Sequence, residues 1–188
     1  MKNKNIILLA TATLIVTSIF TGCKKDDDDP TNPGTPNESE LITTAVLSFT
    51  DSAGVAPDVT AIFRDTDGDG GAAPTQFDTI RLQNNTTYFM DVLLLDESGS
   101  PTDTISNEVE EEAVDHMFFY TQSGVNIATS YLDSDSNGLP LGLQTRWVTG
   151  NVSSGTSTIT LKHQPGVKDG TQAPGETDIE VVFESRVQ

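Results

Sequence analysis

The chain has 188 residues and carries 28 acidic against 10 basic side chains, a formal net charge of −18 at pH 7. The negative charge excludes binding to nucleic acid or to an anionic membrane by electrostatic attraction, and it favours cations or basic partners. The single cysteine excludes a disulfide within the chain, and a zinc site built from several thiolates.

The first element along the chain is an uncharged, mostly apolar run from Ile6 to Phe20, preceded by Lys2 and Lys4. A membrane span needs about 20 apolar residues, and this run is shorter. A positive start, a short apolar stretch and small residues at its end are typical of a secretory signal peptide. The sequence therefore predicts a leader over residues 1–22, with an uncleaved N-terminal anchor helix as the alternative.

Cys23 ends the stretch "FTGC", which resembles a bacterial lipobox. The resemblance implies cleavage before Cys23 and acylation of its thiol and its new amino group. Several acyl chains hold a protein on a lipid bilayer far better than one, because each buried CH₂ contributes about 0.8 kcal/mol. We therefore expect the bilayer to be a partner of this protein, through Cys23.

The segment after the cysteine, "KKDDDDPTNPGTPNESE", has no hydrophobic residue and contains three prolines. Such a composition cannot bury enough surface to fold, and it predicts a disordered tether over residues 23–40. A lysine-then-acidic cluster behind a lipidated cysteine also resembles the signal that exports Bacteroidota lipoproteins to the cell surface. The residues that match it are Lys24, Lys25, Asp26, Asp27, Asp28 and Asp29. The periplasmic face of the outer membrane is the alternative location.

The rest of the chain, residues 41–188, is one domain's worth of sequence in which a period of two dominates. Nine short runs bounded by turn residues predict strands: 43–50, 58–65, 77–82, 86–96, 116–122, 125–133, 142–150, 156–163 and 177–184. In the last run one face has Thr177, Ile179, Val181 and Phe183, and the other mostly Asp178, Glu180 and Glu184. The count and spacing predict an all-β fold, an antiparallel two-sheet sandwich that is loosely immunoglobulin-like.

One segment, residues 104–116, lacks this alternation. Ile105, Val109 and Ala113 recur every four residues among glutamates, a pattern that predicts a short amphipathic, acidic helix between two strands. Glutamate is a good helix former, and early acidic residues suit a helix N-terminus. The plainer interpretation of its acidic face is a solvated connection.

Two loops share the spacing D-x-D-x-[D/N]-G, the first half of a calcium-binding loop. Alternate residues of such a loop turn their oxygens inward, and the glycine allows a sharp bend. The candidate Ca²⁺ ligands are Asp65, Asp67 and Asp69 in the first loop, and Asp133, Asp135 and Asn137 in the second. Gln76 and Gln144 stand where an EF-hand has its glutamate, so neither loop is an EF-hand. The alternative is an ordinary turn, since Asp, Asn, Ser and Gly favour turns.

The two histidines are candidate transition-metal ligands. His116 begins one predicted strand after a run of acidic residues, and His163 ends another on the same face as Leu161. If the two strand ends meet, His116, His163 and a carboxylate such as Glu112 would suit Zn²⁺ or a similar ion. The alternative is a pair of ordinary strand-end histidines, each making a hydrogen bond. Of the two possible cofactors, Ca²⁺ is preferred to Zn²⁺.

Motifs of catalysis are missing from the sequence. There is no Gly-x-Ser-x-Gly elbow, no P-loop, no dinucleotide-binding glycine pattern and no His-Glu-x-x-His. The sequence therefore predicts a protein that is not an enzyme, and an enzyme of unrecognised class is the third hypothesis.

The lipobox, together with "EVEEEAVDHMFFY", "DSDSNGLPLGL", "LKHQPGVKDG" and "GETDIEVVF", resembles a family of small Bacteroidota outer-membrane or surface lipoproteins. The resemblance spans about residues 41–184. It implies a lipoprotein but no activity and no catalytic residues. Members of that family are often assigned a type 1 periplasmic binding fold, which has two α/β lobes, whereas this chain predicts strands with one helix.

These observations favour a surface lipoprotein with a non-catalytic binding domain, for a metal ion, a small ligand or an outer-membrane protein, and a transport accessory role would fit. The second hypothesis is a Ca²⁺-stabilised structural or adhesion domain. Binding at the histidines, as against the aspartate loops, would distinguish the two.

Overall fold

A computed structural model describes residues 41–68 and 71–188. The predicted leader, residues 1–22, and the predicted tether, residues 23–40, lie outside the described residues. The same holds for Asp69. Among the residues described, no helix is long and apolar enough to cross a membrane.

The described chain contains ten strands and one helix. They are β1 Thr44–Asp51, β2 Val59–Arg64, β3 Gln76–Phe77, β4 Ile80–Leu82, β5 Thr87–Leu95, α1 Ile105–Glu111, β6 His116–Ser123, β7 Ile127–Tyr131, β8 Gln144–Thr149, β9 Ser153–His163 and β10 Glu176–Val187. Each predicted run overlaps a strand, and the run 77–82 overlaps two, β3 and β4.

The strands form two sheets, with orders β3-β2-β1-β5-β8-β7 and β4-β10-β9-β6. This arrangement confirms the predicted all-β sandwich. It departs from a purely antiparallel one at a single pair, because β4 runs parallel to β10, with Ile80 opposite Ser185. Between Phe77 and Ile80 the chain crosses from the first sheet to the second. There β4 forms an edge strand beside the C-terminal strand β10.

The core lies between the inner faces of the sheets and follows the period of two. Leu47 and Phe49 of β1 are buried, as are Tyr88 and Met90 of β5. Trp147 of β8 is fully buried at the centre, and its ring lies 5.1 Å from that of Phe49 in an edge-to-face arrangement.

Helix α1 is shorter than the predicted segment. Ile105 and Val109 are buried against the sheet, as the four-residue spacing predicts, and the helix packs on β5. The N–H of Glu112 makes the last helical hydrogen bond, to Glu108, and the N–H of Asp115 then bonds back to the Glu112 carbonyl. The helix ends at this turn, and β6 begins after it, at His116.

Candidate metal centre

The two histidines face each other across the β6–β9 pair. His116 opens β6, His163 ends β9, and antiparallel pairing makes them direct cross-strand partners. Their rings stack with centroids 4.5 Å apart and planes 10° apart. Phe118 and Leu161, two residues further into the strands, are also paired and lie in the core. The histidines therefore lie on the inner face, at the end of the core.

Glu112 is the third member of the group. It lies in the turn between α1 and β6, four residues before His116. Glu112, His116 and His163 each offer a ligand atom, and all three atoms lie within 4.8 Å of one another. Within residues 41–68 and 71–188, no other group of three His, Cys, Asp or Glu side chains converges in this way. The strand ends thus meet as the metal hypothesis requires, while metal binding itself stays a prediction.

The environment of His116 favours its neutral form. Burial lowers the pKa of His116, and the neighbouring His163 lowers it further, against the opposing effect of a hydrogen bond to the Glu112 backbone. His116 is only 2 % exposed. A neutral imidazole is the form that binds a metal ion, so this environment favours the metal-binding form of His116.

Asp178 is a buried carboxylate beside His116. The alternation pattern predicts the wrong orientation for Asp178. The β9–β10 register shifts between Thr177, opposite Lys162, and Ile179, opposite Leu161. Asp178 is the extra residue of this bulge. The expected outward orientation is therefore incorrect, because a bulge changes the direction in which the following side chains point.

The Asp178 side chain is 3 % exposed, and its Oδ2 lies 3.9 Å from Nε2 of His116. That oxygen has no hydrogen-bond partner among the described residues. Burial raises the pKa of Asp178 to about 6, although the charges of His163 and Lys162 act in the opposite direction. The only sequence signal near Asp178 is the Pro-Gly pair that precedes its strand.

A folded loop over residues 164–175 sets where β10 begins. Gln164 is fully buried, and its Nε2 donates to the carbonyls of Thr171 and Pro174. Gly175 has φ +76°, and a Cβ there would overlap the His163 carbonyl oxygen. Lys162 donates from Nζ to the Gly175 carbonyl, at 3.0 Å. The close approach of the Gly175 backbone to the end of β9 thus places Asp178 near the histidines.

The first aspartate loop is described only in part. Asp67 Oδ2 accepts a hydrogen bond from the Ala72 N–H at 2.8 Å, and this bond contributes most to a lowered Asp67 pKa. Burial and the nearby Asp67 raise the pKa of Asp65. Because Asp69 lies outside the described residues, Ca²⁺ binding at this loop stays a prediction.

The second aspartate loop uses its carboxylates within the chain. Asp133 accepts hydrogen bonds from the N–H groups of Gly142 and Gln144, one on each oxygen. Asp135 accepts two backbone N–H groups on Oδ1 and the Lys168 ammonium on Oδ2. A calcium ion here would compete with Lys168 for Oδ2 of Asp135.

An open acidic cleft of about 570 Å³ lies between α1 and the second loop, and Glu110, Glu111 and Asp133 are among its lining residues. Neither histidine lines it. It is therefore a feature distinct from the histidine group, and its charge disfavours anions.

Comparison of the chain with models of protein families, with curated proteins and with solved structures finds no match in any of the three. The function is therefore inferred from the geometry of this domain.

Proposed function

We propose that this chain is a lipid-anchored surface protein whose sandwich domain binds a divalent first-row transition-metal ion at Glu112, His116 and His163. The observation that carries the proposal is the convergence of three ligand atoms within 4.8 Å of one another. Two imidazoles and a carboxylate suit Zn²⁺ and its neighbours, whereas Ca²⁺ prefers a shell made entirely of oxygens.

Two further features support metal binding. Burial and the proximity of His163 lower the pKa of His116 and so favour its neutral, metal-binding form. The chain's net charge of −18 raises the local concentration of cations around the protein. The two rings are nearly parallel, so they must tilt towards each other to share one ion.

The anchor and the location come from the sequence alone. Acylation at Cys23 would hold the protein on the outer membrane, and the cluster from Lys24 to Asp29 would direct it to the cell surface. On a tether, the domain would then bind the ion outside the membrane without catalysis, for its own stability or for an outer-membrane partner.

The alternative is a structural domain stabilised by Ca²⁺ at the aspartate loops. The observation that favours it is the pair Asp65 and Asp67, whose carboxyl groups lie close enough to shift each other's pKa in opposite directions. A cation beside them would offset the negative charge of Asp67, which raises the pKa of Asp65.

The test is metal titration of the full chain, purified in detergent and stripped with chelator, followed by thermal unfolding. An ion that binds only the folded state raises Tm by mass action. We expect Zn²⁺ to raise Tm in the parent protein and to lose that effect in Glu112→Gln and in His163→Ala. Glu111→Gln, one residue from Glu112 and outside the cluster, is the matched control and should keep the response.

Two results would count against the proposal. Equal Zn²⁺ responses in the parent protein and in His163→Ala would place the ion elsewhere. A response to Ca²⁺ alone, lost in Asp67→Asn, would favour the structural alternative.

A further inference from the structure

We infer that Asp178 is a further ligand of the same ion, so that the centre consists of two histidines and two carboxylates. This inference depends on the proposed metal function and extends it, because it defines the ligand set. It adds a residue from β10 to a group otherwise drawn from β6, β9 and the turn after α1.

The bulge in β10 is the first observation that supports Asp178 as a ligand. Regular alternation along β10 would turn Asp178 away from the core, on the side opposite Ile179 and Val181. The extra residue between Thr177 and Ile179 breaks the pairing with β9, and Asp178 lies instead beside His116. Bulges often occur next to functional sites, where they re-aim one side chain.

One oxygen of the Asp178 carboxylate is also buried without a hydrogen-bond partner. Its side chain is 3 % exposed and its Oδ2 accepts no hydrogen bond in the described part of the chain. Buried charges in proteins are normally paired or coordinate a metal ion. Lys162, whose charge acts on Asp178, directs its ammonium to the Gly175 carbonyl and to the Thr177 hydroxyl.

The neutral ring of His116 presents a lone pair to the Asp178 carboxylate. Nδ1 of His116 lies 3.3 Å from the Glu112 carbonyl oxygen. A carbonyl can only accept a hydrogen bond, so in a neutral ring the proton is on Nδ1 and the lone pair is on Nε2. Nε2 is the atom that faces Asp178. Two acceptors therefore face each other, and a cation between them satisfies both.

The distance between the two acceptors suits a bridging ion. The separation of 3.9 Å between His116 Nε2 and Asp178 Oδ2 is too long for a hydrogen bond. Bonds from zinc to nitrogen and to carboxylate oxygen are about 2.0–2.2 Å each, and at the tetrahedral angle that zinc prefers they place the two ligand atoms about 3.3–3.6 Å apart, so the gap has to close by only a few tenths of an ångström. One ion can thus contact both atoms without a large movement of either strand.

The experiment compares Asp178→Asn with the parent protein, both as the full chain in detergent, using Zn²⁺ for affinity and Co²⁺ as a spectroscopic substitute. Asparagine has nearly the same shape and lacks the charge. Glu176→Gln, two residues earlier and exposed, is the matched control. We expect Asp178→Asn to weaken Zn²⁺ binding by at least about 10-fold, a loss known even for residues that only support a ligand. We also expect it to change the visible absorption of bound Co²⁺.

The outcomes separate the two proposals. If the parent protein binds neither ion, the proposed function fails and this inference fails with it. If it binds them and Asp178→Asn leaves both affinity and spectrum unchanged, Asp178 is no part of the centre. A weaker affinity with an unchanged Co²⁺ spectrum also overturns the inference, because Asp178 would then act from outside the coordination shell. Asp178→Ser, tested alongside, gives the same comparison if the asparagine variant does not fold.

Discussion

Lys168 and Asp135 form an ion pair of 2.8 Å whose side chains are 2 % and 0 % exposed. The lysine comes from the loop before β10 and the aspartate from the loop before β8. Lys168 Nζ also donates to the Ala113 carbonyl, just after α1. One buried ammonium therefore connects two long loops and the end of the helix.

The first prediction concerns this pair. Removing one member of a buried ion pair leaves an uncompensated charge, so Lys168→Met should lower the free energy of unfolding by about 3–5 kcal/mol. Urea denaturation measures the change. The double variant Lys168→Met, Asp135→Asn should recover much of the loss, because asparagine keeps the acceptor for the two backbone N–H groups and removes the charge. Equal losses in the single and double variants would show that the charge is not the cause.

The second prediction concerns pH and Asp178. The pKa of Asp178 is raised from its ordinary value of 3.8 to about 6 in the folded protein. The folded state therefore holds this proton more tightly than the unfolded state does, and the resulting stability is present below pH 4 and lost as the pH rises through about 6. Without metal, Asp178→Asn should become progressively more stable than the parent across this interval. One pKa unit corresponds to about 1.4 kcal/mol, so the gain is on the order of 2–3 kcal/mol.

Chemical denaturation of the metal-free proteins at several pH values between 4 and 7 measures this difference. Glu184→Gln, exposed on the same strand, is the control and should show no comparable pH dependence. The lowered pKa of His116 destabilises the fold on acidification, but it acts in both proteins and largely cancels. A difference between Asp178→Asn and the parent that stays constant with pH would contradict the prediction.

The third prediction compares two glycines of the loop that precedes β10. Both Gly175 and Gly166 have positive φ, at +76° and +66°. A Cβ at Gly175 would overlap the His163 carbonyl oxygen, whereas at Gly166 nothing lies within 4 Å. Gly166→Ala should therefore cost about 1 kcal/mol in conformational strain alone, and Gly175→Ala clearly more. Thermal unfolding of the two variants measures the contrast, and equal losses of stability would argue against the close approach at the end of β9.

The fourth prediction concerns the anchor. Cys23→Ser should abolish acylation and move the protein from the detergent phase to the aqueous phase in a phase-partition assay, because the acyl chains supply the bilayer affinity. Replacing the four aspartates from Asp26 to Asp29 by asparagine should keep the acylation and reduce protease accessibility on intact cells. A Cys23→Ser protein that still partitions into detergent would favour the uncleaved anchor helix.

The strand pattern of the domain was predictable from sequence because the signal is local. Alternation in runs such as 86–96 indicates directly which side chains face the core, and Tyr88 and Met90 of that run are buried. The presence of the helix was predictable from sequence, but the predicted segment, residues 104–116, is longer than the helix. Its end depends on a turn at Glu112, and the strand β6 begins soon after that turn, at His116.

Parts of the site were predictable, and others were not. His116, His163 and Glu112 carry recognisable metal-ligand chemistry, so their residue types and positions in the sequence are enough to make them candidates. Asp178 and Lys168 were missed. The first is placed by a bulge, and the second is paired with a residue 33 positions away in the chain.

Local sequence accounts for the alternating core of the sandwich, the acidic character of the chain and the features that predict a leader and an anchor. These properties depend on composition or on spacing within a few residues. Only the folded chain makes the two histidines cross-strand partners, brings Asp178 beside them and pairs Asp135 with Lys168. Each of these contacts depends on the register of strands or loops far apart in sequence, and pairing register is set by the packing of the whole core.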